Sequence, residues 1–106
     1  MFGIFKRENV NSVHVNELDK ITEKINLIDI REPYEYQSGS IKTARNIPMG
    51  TLLDKPENYL QPGKTYYIMC QSGGRSANAT QILARKGYDV VNVAGGMGAY
   101  TGSKRK

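Results

Sequence analysis

Several features that define other classes of protein are scarce in this sequence. It has one cysteine, one histidine, no tryptophan and no long apolar run in 106 residues. A single cysteine cannot form an intramolecular disulfide, which argues against a disulfide-stapled secreted domain and favours a reducing compartment. His14 has no second histidine to make a metal pair, so we interpret it as an exposed or hydrogen-bonded strand residue. Residues 1–7 are unlike a signal peptide, and we expect a soluble, cytoplasmic protein without membrane contact.

The sequence contains no internal repeat, low-complexity tract or linker that would divide it. We assign residues 1–11 to an N-terminal arm, 12–100 to one domain and 101–106 to a basic C-terminal tail, and we expect a monomer. The net charge of +5 and the isoelectric point near 9.4 favour anionic small molecules or acidic partners. No basic helix or aromatic ladder indicates nucleic-acid binding, so we interpret residues 104–106 as a solvated tail.

Apolar runs alternate with short helical patterns along the chain. We predict strands at residues 12–15, 25–30, 45–47, 65–69 and 90–93. We predict helices from a cap at Asn16, after Glu32, from Thr51, and from near Ser76 as far as Gly87. This order indicates an α/β fold with a parallel sheet covered on both faces. Residues 29, 70 and 95 would then lie at the carboxyl ends of strands, where such sheets bind ligands.

The one cysteine lies between a strand and a helix. An apolar run ends at Met69, and Cys70 is followed by two glycines and a helical pattern that begins near Ser76. Backbone N–H groups in such a loop can converge on an anion, and the helix dipole adds positive potential. A thiol there should ionise more easily than a free cysteine. A lone cysteine can also be a small packing residue, but packing does not explain the adjacent glycines and arginine.

Five stretches, in this order, together resemble the rhodanese family over about residues 12–100. They are LIDIREPYEY at 27–36, GSI at 39–41, ARNIP at 44–48, CQSGGRS at 70–76 and VAGG at 93–96. The fourth looks like the family's active-site loop. The resemblance implies a rhodanese-like three-layer α/β/α fold with a central, mainly parallel sheet of about five strands.

The resemblance also implies a sulfurtransferase. Cys70 would take sulfane sulfur from thiosulfate or a related small anionic donor and pass it on from a persulfide, to cyanide in vitro and to a thiol or protein in cells. The substrate-binding residues it implies are Gln71, Ser72, Gly73, Gly74, Arg75 and Ser76. Arg75 would orient the donor, although it could also be an ordinary surface arginine. We expect neither a metal nor a cofactor in this site.

Two other functions are left open. One is a persulfide-carrying or regulatory docking module with little turnover of free donors. The other is a cysteine phosphatase or arsenate reductase, which would also use a thiolate in a backbone cradle ending in arginine. Here four residues separate Cys70 from Arg75, one fewer than in the cysteine phosphatases, so the cradle should be small for a tetrahedral phosphate.

Other polar residues have structural interpretations. We assign Asp29 and Arg31 to structure, with a polar role near the cysteine site as the lesser alternative, and the spacing of Arg31 and Glu35 suits a helical ion pair. The family commonly has histidine where Ser40 stands and often tryptophan near Tyr100, and these departures concern local packing.

The glycine run at residues 95–98 invites a dinucleotide-binding interpretation. It lacks the third glycine of that fingerprint, and no acidic residue follows it. We predict instead a turn whose backbone approaches the cysteine loop closely.

Overall fold

The computed structural model describes residues 11–106. Their strands are β1 (Asn11–His14), β2 (Asn26–Asp29), β3 (Arg45–Asn46), β4 (Thr65–Met69) and β5 (Asp89–Ala94). The α-helices are α1 (Pro33–Gln37), α2 (Met49–Asp54), α3 (Gly74–Arg85) and α4 (Gly96–Ala99), and 3-10 turns span Val15–Lys20, Thr22–Lys24 and Pro56–Asn58. The predicted arm at residues 1–11 lies outside the described residues, except for Asn11, which begins β1. Within this part of the chain, no helix is long and apolar enough to cross a bilayer.

The strands form one parallel sheet in the order β1-β5-β4-β2-β3. Asp29 at the end of β2 is paired with Met69 at the end of β4. Since the strands are parallel, their carboxyl ends share one edge, and Cys70 follows the central strand at that edge. The predicted α/β fold with a parallel sheet is confirmed.

Two buried cores cover the two faces of the sheet. One packs strand residues against α2 and α3 and includes Ile28, Ile68, Val90, Leu52 and Leu83. The other packs strand residues against the first 3-10 turn and α4 and includes Leu27, Val93, Leu18 and Met97. Successive residues of β2 thus enter opposite cores, as side chains of a strand must. This gives three layers, and the sheet holds the cysteine loop at its edge.

The helix predicted to begin with a cap at Asn16 is a 3-10 turn capped by His14, so the predicted cap is wrong. The Nδ1 atom of exposed His14 accepts from the N–H of Asn16 at 3.2 Å, which confirms the interpretation of His14. The Asn16 side chain contacts the last part of the chain instead: it donates to the Ala99 carbonyl at 3.0 Å and accepts from the Thr101 N–H at 2.8 Å. These long-range hydrogen bonds replace the local cap.

The basic segment at residues 104–106 is paired with the domain, unlike the free tail expected from the sequence. The Lys42 N–H donates to the Lys104 carbonyl at 2.7 Å, and the Lys106 N–H donates to the Ser40 carbonyl at 2.9 Å. The side chains of Arg105 and Lys106 are exposed, but each also lies over a tyrosine ring of the domain, so the expected solvation holds only in part.

Candidate active site

Cys70 lies between β4 and α3, and its side chain is completely buried. Two backbone N–H groups point at its sulfur: the nitrogen of Gly73 is 3.1 Å from Sγ, and the nitrogen of Ser76 is 3.3 Å from it. Both lie at the N-terminal end of α3, where the helix dipole adds positive potential. The loop is therefore arranged to hold a negatively charged sulfur.

Ser76 contributes its hydroxyl as well as its N–H. Its Oγ lies 3.4 Å from Cys70 Sγ and 3.1 Å from the carbonyl oxygen of Gly73. With a neutral thiol, the S–H donates to Oγ and the hydroxyl donates to that carbonyl. A hydroxyl rotates to suit its partners, so with a thiolate it can donate to the sulfur instead. Ser76 thus has a hydrogen bond for both protonation states of Cys70.

Two opposing influences set the acidity of Cys70. Burial is the largest, and it raises the pKa of the thiol. Hydrogen bonds from the Ser76 hydroxyl and from the backbone of Ser76, Gly73 and Ser72 together outweigh burial, so the pKa of Cys70 lies below its ordinary value. The thiolate, which is the nucleophilic form of cysteine, therefore forms at a lower pH than in a free cysteine.

The glycines after β5 lie directly against the cysteine loop. Gly96 has φ +59°, and a Cβ atom there would stand 2.6 Å from the carbonyl carbon of Gln71. The N–H of Met97 donates to the Cys70 carbonyl at 2.9 Å, and that of Gly98 donates to the Gln71 carbonyl at 2.8 Å. The predicted close approach of the two backbones is confirmed, and it fixes the first residues of the loop.

Arg31 is buried and links β2 to the cysteine loop. Its Nε and Nη2 atoms donate to the carboxylate of Asp29 at 3.0 and 2.9 Å, and Nη1 donates to Oε1 of Gln71 at 2.9 Å. The buried Ser40 hydroxyl donates to the same carboxylate at 2.7 Å. The predicted pairing of Arg31 with Glu35 is therefore wrong. Arg31 precedes α1, so the helical spacing on which that prediction rested does not apply.

The partner of Glu35 is Arg75. The two Nη atoms of Arg75 each lie 2.9 Å from a different carboxylate oxygen. Glu35 also accepts from the N–H of Glu32 at 2.9 Å in the capping box of α1. The hydrogen bond from Arg75 is the main reason that the pKa of Glu35 falls to about 2, and the same pairing raises the pKa of Arg75. The Arg75 side chain is 40% exposed, so a small anion could still reach it.

Ser40 and Tyr100, the two residues that depart from the family pattern, both form hydrogen bonds inside the domain. Ser40 is buried against Asp29, as described above. Tyr100 is buried as well, and its hydroxyl donates to the carboxylate of Asp19 and accepts from the N–H of Lys104. Neither residue contacts the sulfur of Cys70, so the departures leave the cysteine loop intact.

The site residues named from the sequence form one continuous loop with different exposures. Cys70 and Ser76 are buried, Gly73 and Arg75 are half-buried, and Gln71, Ser72 and Gly74 are exposed. The spacing of Arg31 and Glu35 predicted a different partner for Glu35, so its pairing with Arg75 was missed. No local sequence pattern signals this contact, because the two residues are 40 positions apart. Among residues 11–106, no group of three or more His, Cys, Asp or Glu side chains is placed to hold a metal ion.

The chain is thus a parallel α/β domain that holds a buried, hydrogen-bonded cysteine in a strand-to-helix loop. The family model for the rhodanese-like domain matches residues 14–103. The chain belongs to this family.

Three comparisons give the identities and the extent of the similarity. The chain is 36% identical over 98 residues to "Putative sulfurtransferase YtwF" of Bacillus subtilis, covering 92% of this chain and 94% of that protein. It is 33% identical over 107 residues to "Putative sulfur carrier protein YrkF" of the same organism, covering 94% of this chain and 57% of that protein. The crystal structure of reduced Bacillus anthracis CoADR-RHD superimposes with a TM-score of 0.79 at 43% identity, covering 86% of this chain and 16% of that chain. The family and these names support a sulfurtransferase-like activity.

Proposed function

We propose that the protein is a sulfurtransferase that moves sulfane sulfur through a persulfide on Cys70. The observation that carries the proposal is the convergence of the Gly73 and Ser76 N–H groups on Sγ, at 3.1 and 3.3 Å. Such donors stabilise a thiolate, and after transfer they can stabilise the anion of a bound persulfide. An apolar packing role for Cys70 gives no reason for this arrangement.

The reaction proceeds by double displacement. The Cys70 thiolate attacks the outer sulfur of thiosulfate, a new S–S bond forms at Sγ, and the S–S bond of thiosulfate breaks. Sulfite leaves with the electron pair, and a Cys70 persulfide remains. The acceptor, which is cyanide in vitro and a thiol or protein in cells, then attacks the outer sulfur. The Cys70 S–S bond breaks, and the thiolate is regenerated.

A second candidate is a sulfur-carrying or docking module with little turnover of free donors. The name of the sulfur carrier relative favours this candidate. Steady-state kinetics with thiosulfate and cyanide separate the two: repeated turnover supports the enzyme, whereas one fast sulfur loading without turnover supports the carrier.

The test of the proposal is the intact mass of the protein after incubation with thiosulfate. We expect one added sulfur that a reductant removes, and no addition to Cys70→Ser, because a serine hydroxyl neither ionises readily nor forms a persulfide. An unmodified mass for the wild-type protein would contradict both the enzyme and the carrier.

A further inference from the structure

Arg75, the cation beside the reactive sulfur, is already paired with the carboxylate of Glu35. Arg75 immediately precedes Ser76, whose N–H and hydroxyl contact Sγ. Both Nη atoms of Arg75 bind Glu35, in the two-point geometry that holds a guanidinium most firmly. An incoming donor therefore meets an arginine whose charge is largely neutralised.

Glu35 is itself held in place. Its Oε1 atom also accepts the N–H of Glu32 at 2.9 Å, which closes the capping box at the start of α1. The Glu35 side chain is 21% exposed, against 40% for Arg75, so the carboxylate is the more enclosed partner. An anionic donor that binds Arg75 must compete with this fixed carboxylate.

We propose that Glu35 is a specificity-determining residue that disfavours doubly charged donors, such as thiosulfate, relative to singly charged sulfane donors, such as organic thiosulfonates and persulfides. The inference rests on the proposed function. With Glu35 ionised, the reactive centre has two negative groups, the Cys70 thiolate and the Glu35 carboxylate, and one positive group, Arg75. The neighbouring Arg31 adds no net charge, because it is paired with the buried carboxylate of Asp29. A donor therefore approaches a centre with a net negative charge.

The size of this effect depends on the charge of the donor. Coulomb energy is proportional to charge. Removing the Glu35 carboxylate therefore changes the interaction energy of a dianionic donor with the site by about twice as much as that of a monoanionic donor. The fold-change for the dianion is then about the square of that for the monoanion. A purely structural role of Glu35 would change both donors alike.

The test compares thiosulfate with methanethiosulfonate in the wild-type protein and in Glu35→Gln. Both donors give the same Cys70 persulfide, and they release sulfite and methanesulfinate, respectively. Glutamine also serves at this position of a capping box, and its carbonyl still accepts from Arg75. We expect kcat/KM to rise on the order of tenfold for thiosulfate and roughly threefold for methanethiosulfonate.

Glu23→Gln is the matched control. It removes the same charge from an exposed residue before β2, at the opposite edge of the sheet from Cys70, and should leave the donor ratio unchanged. An equal donor ratio in wild type and folded Glu35→Gln would overturn the inference. If Glu35→Gln does not fold, Glu35→Ala is used with the same expectation, and loss of folding in both would also overturn it, because Glu35 would then serve the fold.

A binding measurement separates the failure of this inference from that of the proposed function. Sulfate is a dianion that cannot donate sulfur, and NMR titration reports its binding without any reaction. We expect Glu35→Gln to bind sulfate more tightly at the cysteine loop than the wild-type protein does, and equal binding would contradict the inference. If neither donor loads Cys70 in any variant, the proposed function fails, and the donor specificity that rests on it fails too.

Discussion

Arg75 and Glu35 form a two-point ion pair that joins the first turn of α3 to α1, with both N–O distances at 2.9 Å. The two residues are 40 positions apart in the sequence. Because Arg75 adjoins Ser76 and Glu35 belongs to the α1 capping box, the pair connects the cradle of the thiolate to the helix that follows β2. It therefore has consequences for stability as well as for donor binding.

The stability consequence depends on pH. Folding lowers the pKa of Glu35 from 4.5 to about 2, chiefly through the hydrogen bond from Arg75. A carboxyl group with a lowered pKa in the folded state stabilises the fold above its unfolded pKa, and this contribution is lost as the pH falls toward about 2. Since the pair is partly exposed, solvent screening limits the contribution to about 1 kcal/mol.

Between about pH 5 and about pH 2, we expect the unfolding free energy of the wild-type protein to fall by about 1 kcal/mol more than that of Glu35→Gln. Urea unfolding of both proteins across this range measures it. Parallel pH profiles would show that the pair contributes nothing to stability.

Removing the Ser76 hydroxyl should make Cys70 less acidic. Its hydrogen bond to Sγ is the largest of the influences that lower the pKa of the thiol. In Ser76→Ala, the pKa should rise, and the rate of alkylation by iodoacetamide below that pKa should drop several-fold because less thiolate is present. The pH profile of alkylation measures this. Ser12→Ala, at an exposed position of β1, is the control and should leave the profile unchanged. An unshifted profile for Ser76→Ala would mean that backbone N–H groups alone set the acidity.

A methyl group at Gly96 should displace the cysteine loop. The added Cβ would lie 2.6 Å from the Gln71 carbonyl carbon, and the backbone there has φ +59°, which side-chain-bearing residues rarely adopt. We expect Gly96→Ala to lose roughly 1–3 kcal/mol of unfolding free energy and most of its sulfur-transfer rate. Gly50→Ala, where the added Cβ would have no neighbour within 4 Å beyond its own stretch of helix, should keep both. Normal transfer by Gly96→Ala would show that the approach of the two backbones is unnecessary.

The sequence predicts those parts of this fold that depend on local chemistry. Strands β2 and β4 are near-continuous apolar runs because both faces are covered, and Pro33 and Gly87 mark a helix start and a helix end. The cysteine loop could be located because a strand pattern ends at Met69 and a helix pattern follows within a few residues. The position of Cys70 at the carboxyl edge then follows from the parallel topology.

The sequence does not predict contacts that depend on how elements are oriented. Arg31 and Glu35 have the spacing of a helical pair, but α1 begins only after Arg31, and each residue finds its partner elsewhere. Asn16 has the chemistry of a helix cap, yet it binds a segment more than 80 positions away. Such pairings depend on the three-dimensional arrangement, which no local pattern encodes.

We propose that Cys70 accepts the outer sulfur of a sulfane donor, and thiosulfate labelled with a heavy isotope at its outer sulfur tests this step. Mass spectrometry follows the label in the protein's peptides and in the released sulfite. We expect heavy sulfur on the Cys70 peptide, unlabelled sulfite in solution, and loss of the label when cyanide is added. A Cys70 peptide without the label, or label that leaves with sulfite, would contradict the proposal.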